Sequence, residues 1–129
     1  LSMIYDKVDV NGYQAIERMR SFIRMGIELG SDALKIGFPA EVEYLEDLLS
    51  SQDSNTPIFF AGGEKGNENT LVNNAALAMK YGARGLCVGR GVFQSENKEY
   101  LLSRLSKVLR TSGNTNEPTF DYLKSQKVV

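Results

Sequence analysis

The chain has 129 residues, enough for one domain with its own core, and at 42% hydrophobic and 24% charged it is composed like a globular protein rather than a disordered one. A net charge of −1, with Lys and Arg scattered among Asp and Glu, leaves no basic field to hold nucleic acid or an anionic membrane surface. The lack of histidine excludes His-based triads and His metal sites within the chain, and the single cysteine, Cys87, excludes an internal disulfide.

No apolar stretch approaches the ~20 residues of a membrane span, and no signal-peptide pattern opens the chain, so a cytoplasmic location is expected. Leu1-Ser2-Met3 reads as a cut edge rather than a native start, and residues 1–12 as a lead segment. From Tyr13 to Leu29, Ile16, Met19, Ile23 and Ile27 repeat at helical spacing, flanked by Phe22 and Met25, with Gly30 placed to cap the C-terminus. Ala33-Leu34-Lys35-Ile36-Gly37-Phe38 is a short apolar run broken by one lysine, which favours a buried strand. Pro39 should stop it and enter the first turn of a helix over Ala40 to Leu49, with Val42, Leu45, Leu48 and Leu49 on one face.

A polar loop, Ser50 to Thr56, precedes a second strand, Pro57 to Ala61, which ends in Gly62-Gly63. Glu64 to Asn69 reads as a loop and Thr70 to Tyr81 as a helix, with Leu71, Val72, Ala75, Ala76 and Met79 facing inward and Gly82 ending it. Gly85 to Val88 is the third strand, with Cys87 expected to be buried and inert, and Gly89-Arg90-Gly91 the turn that closes it. Lys98 to Arg110 should be the last helix, carrying Leu101, Leu102, Leu105, Val108 and Leu109. Residues 111–129 read as a polar tail.

Strands that alternate with helices of this length define βαβ units and a parallel sheet whose strands, apolar on both faces, need cover on both sides. In such folds chemistry collects at the C-terminal ends of the strands. The first strand carries Lys35, the second ends in Gly62-Gly63 followed by Lys65, and the third ends in Gly89-Arg90. Backbone N–H groups can cradle a phosphate only where no Cβ blocks the approach, so two glycine turns after successive strands suit a phosphate site; Arg90 and Lys65 add cations. A lysine in an oily strand is costly as an ammonium, and desolvation or a neighbouring cation favours the neutral amine, a nucleophile toward carbonyls. Pairing of Lys35 with Asp32, Glu41 or Glu43 is the competing explanation, and spacing alone leaves both open.

Three segments resemble one family. They are Glu28-Leu29-Gly30-Ser31-Asp32-Ala33-Leu34-Lys35-Ile36, Pro57-Ile58-Phe59-Phe60-Ala61-Gly62-Gly63-Glu64-Lys65, and Gly82-Ala83-Arg84-Gly85-Leu86-Cys87-Val88-Gly89-Arg90-Gly91-Val92-Phe93-Gln94. In order and spacing they are similar to strands six, seven and eight of the class I aldolases of the archaeal-type fructose-bisphosphate aldolase superfamily, whose wider circle includes deoxyribose-phosphate aldolase. The resemblance implies the C-terminal part of a (β/α)8 TIM barrel, spanning residues 13–110, with about three of the eight parallel strands. It implies Lys35 as Schiff-base former and Gly62, Gly63, Lys65, Gly89 and Arg90 as holders of a phosphorylated sugar or keto-phosphate. It implies no cofactor and no metal. The acid from the first strand and the polar group from the fifth that assist proton transfer in the family have no counterpart here. Gly37-Phe38-Pro39 departs from the family's Tyr- and Thr-containing turn, which leaves the substrate open.

Two other readings compete. One is a phosphate- or flavin-binding barrel piece that uses the glycine turns without the lysine. The other is a non-catalytic half-barrel that oligomerises to hide its open face. A homo-oligomer is expected, and little or no turnover from the chain alone.

Overall fold

The computed structural model describes residues 12–50, 55–62 and 67–111. The lead segment up to Asn11, the tail beyond Thr111, and the candidate phosphate ligands Gly63 and Lys65 lie outside the described residues.

Helix α1 spans Tyr13–Glu28 and buries Ile16, Met19, Ile23 and Gly26, one stripe at spacings of three and four. Gly30 ends it at φ 82°, where its N–H donates to Ile27 O at 3.0 Å and the Ser31 N–H donates to Gly26 O at 3.0 Å. These paired bonds satisfy carbonyls that the last turn would otherwise orphan, and the positive φ selects glycine. Gly82, at φ 110°, ends a later helix in the same way, with the Ala83 N–H donating to Ala78 O at 2.9 Å.

Strand β1 is Leu34–Gly37, and the connection after it differs from the expected helix. Pro39 is buried in that connection rather than placed in a first helical turn, Val42–Tyr44 forms a 3-10 turn, and helix α2 proper is only Leu45–Ser50. Phe38 explains the detour, because its ring leaves the strand end to stack on Phe60 with centroids 4.9 Å apart. Strand β2 is Ile58–Gly62 and helix α3 is Glu68–Lys80, which begins two residues before the expected start. Asn67 sets that start by accepting a hydrogen bond from the Asn69 N–H at 2.9 Å, an N-cap inside what reads as a loop.

Strand β3 is Gly85–Val88, and the expected Gly89-Arg90-Gly91 turn is instead the opening of a short helix, α4, over Arg90–Phe93 with Gly89 as its N-cap. Helix α5, Lys98–Thr111, is capped by the Asn97 side chain, which accepts from the Tyr100 N–H at 3.1 Å. Its inner stripe is Leu101, Arg104, Leu105 and Val108, so Leu102 is exposed and an arginine stands in the core position.

The three strands form one parallel sheet in the order β1-β2-β3. Leu34 pairs with Ile58 and Ile36 with Phe60, which in turn pairs with Leu86. Because side chains alternate along a strand, these residues share one face, and all of them enter the apolar clusters built with the long helices. The opposite face carries Lys35, Gly37, Phe59, Ala61, Gly85 and Cys87. None of that second set joins either apolar cluster, so the cover expected on both faces is supplied on one only, among the described residues.

Candidate functional site

Lys35, Phe59 and Gly85 are register partners, a row across the three strands on the face away from the helices. One step toward the C-terminal ends, the next row on that face is Gly37, Ala61 and Cys87. The second row is built entirely of small residues. Lys35 is half-buried rather than sunk in the core, since it sits on the face away from the apolar clusters. None of Asp32, Glu41 and Glu43 forms an ion pair with it. A carboxylate-paired lysine, the competing explanation from sequence, is therefore not what these residues build.

Cys87 is half-buried and unbridged on this same face, which corrects the expectation of a buried core thiol. The apolar run around it conceals that alternate residues face opposite ways.

The candidate phosphate residues separate into two kinds. Gly62, at the end of β2, points its missing side chain toward the helices, where a Cβ would lie 2.7 Å from Leu71 Cδ1 and 3.2 Å from Val88 Cγ1. Helix packing by itself accounts for a glycine there. Gly89 is different, because a Cβ on it would meet nothing within 4 Å. Arg90, next in the chain, is exposed at the first position of α4.

The two strand ends are tied together by a feature that the sequence does not announce. Ser95, buried just after α4, donates to Glu68 Oε1 in the first turn of α3, while its Oγ accepts from the Asn97 N–H at 3.2 Å. Arg104 of α5 reaches back to donate to Asn69 Oδ1 at 2.8 Å. Together these bonds fix the start of α3 against the end of α4 and against α5. Among the described residues no group of three or more acidic, Cys or His side chains is gathered as for a metal ion, and no helix is long and apolar enough to cross a membrane.

A parallel sheet of three strands, each followed by helix, with helices packed on one face, is the arrangement of part of an α/β barrel. Comparison with known proteins sharpens that class. No protein-family model matches the chain. It is 29% identical over 117 residues to 2-amino-3,7-dideoxy-D-threo-hept-6-ulosonate synthase 1 of Archaeoglobus fulgidus, covering 91% of this chain and 42% of that protein. It is 28% identical over 94 residues to the class 1 fructose-bisphosphate aldolase of Halobacterium salinarum, covering 73% of this chain and 35% of that one. In structure it matches an archaeal fructose-1,6-bisphosphate aldolase whose catalytic lysine is covalently bound to the carbinolamine intermediate of the substrate. That match has a TM-score of 0.67 at 25% identity and covers 81% of this chain and 41% of the other. The chain is a homologue of the archaeal class I aldolases, and its three parallel strands and their helices are similar in structure to part of such an aldolase barrel. It spans less than half the length of these relatives.

Proposed function

We propose that this chain supplies the Schiff-base lysine and the phosphate-holding edge of a class I aldolase that makes or cleaves a carbon–carbon bond in a phosphorylated sugar. The observation that carries the reading is the position of Lys35: half-buried in a strand, on the open face, unpaired by the nearby carboxylates and facing a row of small residues. Its homology to class I aldolases adds independent support.

In this reading the Lys35 amine adds to the ketone carbon, and the carbonyl oxygen leaves as water after protonation, giving an iminium. The neighbouring carbon–carbon bond then breaks, its electron pair flowing to the iminium nitrogen to form an enamine while the departing hydroxyl loses its proton and leaves as an aldehyde. Protonation of the enamine and hydrolysis return the free amine. The proton-transfer group is supplied from outside the described residues. Gly89 and Arg90 hold the phosphate together with Gly62 and Gly63, and Lys65 serves as a second cation. A short helix after the last strand, here α4, is a recurrent part of barrel phosphate sites.

The open face also favours a homo-oligomer, because Phe59, Ala61 and Cys87 belong to neither apolar cluster. A cytoplasmic enzyme is the corresponding setting. The test is inactivation: borohydride added with dihydroxyacetone phosphate should consume the amine irreversibly, whereas borohydride alone should not. Equal behaviour in both would refute the Schiff-base step.

A further inference from the structure

Phe59 stands between Lys35 and Gly85 in the register, and all three project from the same face of the sheet. Its ring does not stand upright. A Cβ built on Gly85 would lie 3.1 Å from both Cδ1 and Cε1 of Phe59, tighter than nine in ten real Cβ contacts. The ring therefore leans over β3, into room that exists because residue 85 has no side chain. Its other sheet neighbour is Lys35, and the Phe59 ring makes no cation–π contact with that ammonium.

We infer that Phe59 and Gly85 act as a pair of positioning residues: the glycine lets the ring fold away over β3, which keeps the face above Lys35 open for the substrate. The inference rests on the reading of Lys35 as Schiff-base former, and it adds the device that governs access to the amine. Neither residue touches the reacting atoms. With strands about 4.8 Å apart, a ring displaced from β3 has the space over Lys35 as its nearest alternative. A Cβ at position 85 would press on two atoms of the ring at once, so the ring must give by a few tenths of an ångström, away from β3 and toward Lys35.

Reductive methylation of the chain with formaldehyde and cyanoborohydride, read by peptide mass, tests this without needing any turnover. G85A should slow modification of Lys35 several-fold relative to exposed Lys98 and Lys107, and removal of the ring in the double variant G85A/F59A should restore it. Borohydride trapping with dihydroxyacetone phosphate should show the same order, with a loss of about tenfold or more in G85A. A merely structural role would lower the melting temperature of G85A without this selective effect at Lys35 and without its reversal by F59A. Should G85A not fold, F59I offers the second route: its β-branched side chain must project toward both neighbouring strands, so Lys35 should again be modified more slowly. Unchanged Lys35 rates in these variants, or no recovery in the double variant, would overturn the proposal. Failure of the wild-type chain to trap the keto-phosphate, with the methylation pattern intact, would instead sink the Schiff-base reading and leave the steric coupling standing.

Discussion

Glu68 and Ser95 join the two strand ends of the candidate site: the serine hydroxyl beyond α4 donates to the carboxylate in the first turn of α3. Through that bond the start of α3 and the segment that follows α4 keep a fixed relation. Position, rather than charge, is the contribution of this pair. Residues that build the fold and residues that serve the site should accordingly respond differently to substitution.

Gly62 and Gly89 should respond oppositely to alanine. At Gly62 the added Cβ would overlap Leu71 Cδ1 at 2.7 Å and crowd Val88 Cγ1 at 3.2 Å, so Leu71 must swing aside and the urea midpoint should fall, a loss largely recovered by shortening Leu71 to alanine. At Gly89 the Cβ enters open space, so stability should change by less than about 0.5 kcal/mol while inhibition by inorganic phosphate weakens. Equal stability losses at both positions would contradict this division.

Gly30 and Gly82 are held at φ values of 82° and 110° by helix-ending hydrogen bonds. Alanine at either place should lower stability by about 1–2 kcal/mol, seen as a fall in the denaturation midpoint with an unchanged slope. Space is not the cause, since nothing lies within 4 Å of either added Cβ. The loss should therefore be the same for larger L-residues.

Asn69 partners a buried arginine. Arg104 is 7% exposed, its Nε has no hydrogen-bond partner, and its guanidinium donates to Asn69 Oδ1. Asn69→Ala removes an acceptor from a buried charge and should destabilise by about 1.5–3 kcal/mol in chemical denaturation. Arg104→Met, which removes the charge itself and keeps the volume, should cost less than Asn69→Ala. The reverse order would show that the arginine contributes more than its burial suggests.

Much of this architecture is legible in the sequence because local signals agree with the final packing. The Ile16, Met19 and Ile23 stripe with Gly30 behind it, and the β3 run closed by glycine, carry their own boundaries. Other features depend on what lies across the fold. Phe38 leaves its strand to stack on Phe60, and that contact delays α2 by more than a turn. Polarity hides the role of Arg104, which occupies the helical spacing of Leu101 and Leu105 while Leu102 faces outward. Gly89-Arg90-Gly91 has turn-forming composition, yet Arg90–Phe93 closes a helical turn, with the Phe93 N–H donating to Gly89 O at 2.9 Å and that of Gln94 to Arg90 O at 2.9 Å. As for the site, Lys35 stands out as the one charge in an apolar strand, but its distance from Asp32, Glu41 and Glu43 and the lean of the Phe59 ring are properties of the assembled sheet.

The central claim is that one amine, that of Lys35, forms the covalent bond to substrate. Peptide mapping after borohydride reduction with dihydroxyacetone phosphate addresses it directly, with Lys35→Met as the control. The expected result is a single reduced adduct on the peptide that contains Lys35, absent from the variant while its thermal unfolding stays close to that of the parent chain. An adduct that persists in Lys35→Met, or one found on Lys80 or Lys98 instead, would contradict the account.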